Sequence, residues 1–104
     1  MSEITRVHVG KQDPKTYQAL QALSKQADEA ALASGLDFKT LELIKIRSSQ
    51  INGCAFCLSV HVPAALKHGE LAERLTVLPA WRETDLFNAE ERAALELAES
   101  ITNI

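Results

Sequence analysis

The sequence predicts an all-α fold. Three observations carry that expectation. Apolar residues recur at helical spacing in several separate segments, helix caps and stop signals fall between them, and no run alternates apolar and polar residues as a half-buried strand would. With 104 residues the chain suits one domain, residues 1–104. Its 46% hydrophobic and 24% charged residues are the balance of an ordinary soluble globular protein. A core this small leaves much surface uncovered, so self-association would add stability.

Residues 1–13 read as extended or irregular and end at Asp13-Pro14, where Asp13 can cap a helix whose first position is proline. From Pro14 to about Ser34, Tyr17, Leu20, Leu23, Ala27, Ala30 and Ala31 follow helical spacing, and Gly35 supplies the stop. A second helix is expected from Asp37 to Ile51, with Leu41, Ile44, Ser48 and Ile51 on one face and Leu43 and Ile46 widening the stripe. Asn52-Gly53 ends it, because both residue types tolerate left-handed backbone. A third helix begins near Cys54 and runs to about His68, closed by Gly69. Pro63 lies inside it and is expected to kink or split it, having no N–H to donate to residue 59. A short apolar segment, Leu71 to Leu78, leads into a Pro79-Ala80-Trp81 turn. Asn88 then reads as the cap of a last helix, with Glu91 at the capping-box position and Leu95 and Ala98 on its apolar face.

Several function classes are disfavoured at once. A net charge of -3 and 5% aromatic residues give no footprint for nucleic acid, base stacking or an anionic membrane. No apolar stretch approaches the ~18 residues of a membrane span. Met1-Ser2-Glu3-Ile4-Thr5-Arg6 has no basic region followed by an apolar core, so no secretory signal is visible and the cytoplasm is the expected compartment. There a close cysteine pair is more often catalytic or metal-binding than structural.

The chain has two cysteines, in the stretch Asn52-Gly53-Cys54-Ala55-Phe56-Cys57-Leu58-Ser59-Val60-His61. A c-type haem site would need histidine where Leu58 stands, and a thioredoxin-like motif should follow a buried strand rather than a helical pattern. Structural zinc takes four ligands, whereas Cys54, Cys57 and His61 supply three, and neither His8 nor His68 has finger-like spacing. Redox chemistry explains the spacing better, and it calls for no cofactor. Two thiols three residues apart at a helix N-terminus can form a disulfide with little backbone movement, and the unpaired amides and helix dipole favour a thiolate. His61 follows Cys57 by four residues and Cys54 by seven, hence lies on their face and can exchange a proton with the nearer thiol. Taken alone, the same residues also fit two small buried hydrophobes and a structural histidine. Glu42, twelve residues before Cys54, could face the thiols across the Asn52-Gly53 turn, or be a solvated surface charge.

The combination of Glu42 with Cys54-x-x-Cys57-x-x-x-His61 resembles the AhpD-like alkylhydroperoxidase branch of the carboxymuconolactone decarboxylase family. Leu43 to Gly53, Leu78-Pro79-Ala80-Trp81 and the Asn88 to Arg92 helix start add to the resemblance, which covers roughly residues 14–100. It implies an AhpD-like helical fold assembled as a homo-oligomer, trimer or hexamer, that reduces organic or hydrogen peroxide. It further implies that Cys57 is the peroxidatic thiol and forms a sulfenic acid. Cys54 would then donate a proton and resolve that acid as a disulfide, with Glu42 and His61 as the proton relay. The implied partners are a peroxide substrate and an external dithiol reductant, a lipoyl-bearing protein in the best-known members, with no nucleic acid or membrane. Family members commonly continue with further helices, so a chain ending at Ile104 reads as short of C-terminal ones. Two other functions stay open from the sequence: a non-enzymatic redox sensor or disulfide-exchange module, and a lactone decarboxylase, whose chemistry would not need paired thiols. Trp81 and Phe87 read as core or subunit-contact residues, Phe56 as a shield for the thiols, His8 and His68 as exposed, and Lys45 and Arg47 as surface charges that could lower a thiol's pKa.

Overall fold

The computed structural model describes residues 7–104, and among these no strand occurs. The expectation of irregular chain over residues 1–6 therefore lies outside the described residues. Two compact units divide the chain, residues 1–35 and 36–104.

The first unit holds a single-turn helix α1 (Val9–Gln12), in a stretch expected to be irregular, and the long helix α2 (Pro14–Ala33). Asp13 caps α2 as expected: its carboxylate accepts the Thr16 N–H at 3.2 Å and the Thr16 hydroxyl at 2.7 Å. Leu20 and Leu23, on the apolar stripe of α2, are exposed.

The second unit is built on a helical hairpin, α3 (Phe38–Asn52) and α4 (Ala55–Lys67), followed by α5 (Ala72–Thr76), a 3₁₀ turn over Leu78–Glu83 and α6 (Ala89–Thr102). Asp37 opens α3 by accepting the Thr40 N–H at 2.7 Å. Its end is a Schellman closure, in which the Gly53 N–H reaches Gln50 O at 3.2 Å and the Cys54 N–H reaches Ser49 O at 3.0 Å. The closure needs a left-handed residue, and Gly53 supplies it at φ 63°, ψ 34°. Two residues then suffice to reverse the chain, and Cys54 both terminates α3 and caps α4.

Pro63 does not split α4, one of the two outcomes expected of it, and the chain stays helical from Ala55 to Lys67. The amide that proline lacks would have served the Ser59 carbonyl. Both Ser59 and Pro63 are exposed, so water can take that carbonyl and the lost bond is cheap.

The core of this unit joins Leu43 and Ile46 of α3, Ala65 of α4, Leu78 and Trp81 of the 3₁₀ turn, Phe87, and Leu95 of α6. Leu58, Val62, Leu75, Val77 and Leu86 pack against it half-buried. Each large side chain so buried contributes on the order of 2 kcal/mol. Trp81 and Phe87 are thus core residues, one of the two alternatives the sequence allowed. The expected capping box at α6 is present: Asn88 Oδ1 accepts the Glu91 N–H at 2.8 Å, and Glu91 Oε1 accepts the Asn88 N–H at 2.9 Å.

Glu99 ties α6 to α3 and to the 3₁₀ turn. It accepts from Arg47 Nε at 2.8 Å, Trp81 Nε1 at 3.1 Å and Arg82 Nη1 at 2.5 Å. Arg47 is therefore a cross-helix ligand and not a free surface charge. Burial works to raise the Glu99 pKa, but the hydrogen bonds from Arg82, Arg47 and Trp81 outweigh it and hold the carboxyl at about 2. The folded value lies below the ordinary one, so Glu99 stabilises the fold above pH 4.5, and that contribution drains away as pH falls to about 2. Denaturation midpoints measured across that window should fall for the native chain, and Glu99→Gln should flatten the slope.

Candidate active site

The α3–α4 hairpin sets the register of the site. Its helices run antiparallel about the Gly53 turn, which brings Phe38 against His68 at the open end, ring centroids 4.1 Å apart, and Glu42 against His61 further in. Glu42 thus lies at the level of His61. Its carboxylate is buried, with the residue 3% exposed. Glu42 Oε2 is 3.0 Å from His61 Nδ1. An ionised carboxylate only accepts, so Nδ1–H is then the donor, and in a neutral imidazole Nε2 keeps its lone pair. Glu42 Oε1 lies 3.9 Å from Lys45 Nζ, one helical turn on.

Cys54 and Cys57 are joined as a disulfide, with Cα atoms 5.3 Å apart. Cys54 is the N-cap of α4, and its sulfur accepts the Cys57 N–H at 3.2 Å. Cys57 stands in the first turn, where backbone amides point outward unpaired and the helix dipole favours negative charge. Both cysteines are half-buried, so a small reactant can reach them. His61, also half-buried, stands one turn after Cys57 on the same helix, a spacing that puts side chains about 5–6 Å apart at Cβ.

The structure therefore pairs Glu42 with His61 and Cys54 with Cys57, and His61 follows Cys57 by one turn of α4. His8 belongs to the first unit, and His68 is exposed and bonds to Ala64 O at 2.9 Å. Phe56, expected to shield the thiols, is itself 77% exposed. Its position in the first turn of α4 points it away from the core that Leu58 and Val62 join. With Val60 it leaves exposed apolar surface beside the disulfide. The residue that sequence reasoning underrated is Lys45. The signal was available, since Glu42 and Lys45 are three apart on one helix and must be neighbours.

An all-helical domain with a cysteine pair capping one helix and a buried carboxylate–histidine pair behind it defines a class of thiol-bearing helical proteins. The model of the carboxymuconolactone decarboxylase family matches residues 14–100, and the chain belongs to that family. It is 54% identical over 71 residues to the uncharacterized protein YdfG of Bacillus subtilis (strain 168), a match covering 68% of this chain and 48% of that one. It is 33% identical over 67 residues to the uncharacterized protein YnjA of Escherichia coli (strain K12), covering 64% and 37% respectively. The chain thus spans about half the length, or less, of the curated relatives it matches. The crystal structure of ATU0492 from Agrobacterium tumefaciens, a protein of unknown function suggested to be the antioxidant defence protein AhpD, superposes with a TM-score of 0.79. That match is at 34% identity and covers 97% of this chain and 66% of that one. The fold is accordingly AhpD-like. No helix among the described residues is long and apolar enough to cross a membrane.

Proposed function

We propose that this chain is a thiol-dependent peroxidase that reduces organic hydroperoxides or hydrogen peroxide through a Cys54–Cys57 disulfide cycle. The observation that carries the proposal is the disulfide at the head of α4, one helical turn from a histidine that a buried carboxylate holds at Nδ1. Antioxidant defence, suggested for the Agrobacterium protein of the same fold, points the same way.

In the reduced protein, His61 Nε2 takes the Cys57 proton, directly or through water, while Glu42 fixes the imidazole tautomer. The Cys57 thiolate attacks one peroxide oxygen and the O–O bond breaks. An alcohol, or water, leaves with the proton, and Cys57 becomes a sulfenic acid. Cys54 is favoured as a thiolate by the Cys57 N–H that its sulfur accepts. It gives its proton to His61 and attacks the Cys57 sulfur, the S–O bond breaks, the hydroxide leaves as water with that proton, and the disulfide forms. An external dithiol returns two electrons by exchange and leaves as its own disulfide. A small dithiol such as reduced lipoamide fits the limited access to the half-buried sulfurs. A homo-oligomer in the cytoplasm is the expected setting.

Peroxide consumption by catalytic protein with excess reduced lipoamide tests this. Many turnovers per chain are expected, and Cys54→Ser should turn over more slowly, because only the external dithiol is then left to resolve the Cys57 sulfenic acid. One disulfide per chain with no further consumption would instead mark a redox switch. Decarboxylation that survives alkylation of both thiols would mark a lactone decarboxylase.

A further inference from the structure

We infer that the outer face of α6 is a self-complementary surface that takes the same face of a second copy of this chain, antiparallel about a two-fold axis. The inference goes beyond the peroxidase reading and does not depend on it.

Helix α6 turns Leu95 and Ala98 to the core, and its other side carries a second apolar row. Ala89, Ala93, Leu97 and Ile101 recur every fourth residue, so they form one ridge line along the helix, and all four are exposed. Leu97 and Ile101 each leave 61% of their surface in water. The row changes size along its length, from alanine in its N-terminal half to leucine and isoleucine in its C-terminal half. Beside the two alanines lies a groove of about 490 Å³, bounded by Trp81, Arg82, Arg92 and Glu96. One face thus carries a hollow at one end and a ridge at the other.

A hollow followed by a ridge matches itself only when reversed. In an antiparallel pair, Leu97 of each copy lies between the partner's Ala89 and the partner's Ala93, and the groove receives the ridge. Such an isologous contact forms twice and closes at the dimer. The charges agree with this register. Arg92 and Glu96 stand one turn apart in the row beside the alanines, so Arg92 meets the partner's Glu96, and Glu96 meets the partner's Arg92. Parallel pairing gives neither match.

Arg92 is already held in place. Its Nη1 donates to Trp81 O at 3.1 Å and Thr84 O at 2.9 Å, and its Nη2 to Arg82 O at 3.4 Å. Its guanidinium also lies 5.2 Å from the centre of the Trp81 ring, so pairing costs it little side-chain freedom. One helix and its border on each side make a contact at the small end of specific interfaces, with a dissociation constant on the order of micromolar.

Sedimentation velocity across the micromolar range tests the pairing, and the native chain should pass from monomer to dimer. Leu97→Glu should weaken the dimer about tenfold or more, because a carboxylate then enters each apolar hollow. Glu96→Arg should weaken it about threefold to tenfold by setting like charges together at both ends. Both positions are exposed, so urea midpoints should stay native, which separates lost pairing from lost fold. Direction is read by cross-linking in a Cys54→Ser/Cys57→Ser background. Ala89→Cys mixed with Ile101→Cys should form a disulfide dimer on mild oxidation, and Ala89→Cys alone should not. A chain that stays monomeric throughout, or a dimer that Leu97→Glu leaves intact, overturns the inference. So does Ala89→Cys cross-linking to itself, the mark of parallel pairing.

Discussion

Replacing Cys57 by serine should lower peroxide turnover by about a thousandfold or more, with little change in stability. The substitution is nearly isosteric at a half-buried position outside the core cluster, so packing is spared. Chemistry is not spared. A serine hydroxyl is not ionised near neutral pH, and neither the amides of the first turn of α4 nor His61 can make it an adequate nucleophile toward an O–O bond. The relay residues should matter less. Glu42→Gln and His61→Asn each remove acid–base assistance, worth about a hundred- to ten-thousandfold in general, but they leave a thiol that still ionises at raised pH. Their losses should therefore shrink as pH rises, while that of Cys57→Ser should not. Turnover measured across pH in the three variants separates the nucleophile from its helpers.

The largest expected effect on stability falls on Arg74. This side chain reaches two buried carboxylates, with Nε 2.8 Å from Glu70 Oε1 and Nη2 against Glu91 Oε2. The Nε contact is an ion pair and not a linear hydrogen bond, since Nε has no hydrogen-bond partner of its own, while Nη2 donates to Glu70 Oε2 at 3.4 Å. Nη1 also donates to Leu86 O at 2.8 Å, and the guanidinium lies 4.6 Å from the centre of the Phe87 ring. It thereby joins α5, the loop before α6 and the α6 capping box. Burial tends to raise the Glu91 pKa, but the hydrogen bonds from Arg74 and the Asn88 amide outweigh it and hold the carboxyl below its ordinary range. Arg74→Met would strand the Glu70 side chain, which is 1% exposed, and Glu91 beside it, at a cost of about 3–5 kcal/mol. Urea unfolding at neutral pH measures the loss. Removing the stranded charges as well, in Arg74→Met/Glu70→Gln/Glu91→Gln, should recover part of it, because the penalty comes from unpaired charge. A loss under about 1 kcal/mol would mean that the network behaves as an exposed ion pair.

Helix placement was legible because it rests on local chemistry. Asp13, Gly53 and the Asn88/Glu91 pair act within a few residues of themselves, and all do what their spacing implies. The contact between Glu42 and His61 was less legible. It depends on how far the two helices slide past each other, and the tightness of the Gly53–Cys54 connection decides that. Whether Pro63 would split α4 was not legible, because the cost of a proline depends on whether the orphaned carbonyl is wet, which is a tertiary fact. Arg47 and Lys45 looked like surface charges because their partners, or the depth of their partners, come from folding: Glu99 is 52 residues from Arg47. Arg74 shows both cases, since Glu70 is four residues away and readable while Glu91 is seventeen away and is not.

The unequal division of labour between the two thiols is tested most directly by trapping the oxidised intermediate. Reduced Cys54→Ser protein, treated with one equivalent of peroxide and a sulfenic-acid-specific reagent, should carry the label on Cys57 in peptide mass spectra. In the same experiment Cys57→Ser should stay unlabelled at Cys54. Label on Cys54 with none on Cys57, or no sulfenic acid in either variant, would contradict the assignment of Cys57 as the thiol that meets the peroxide.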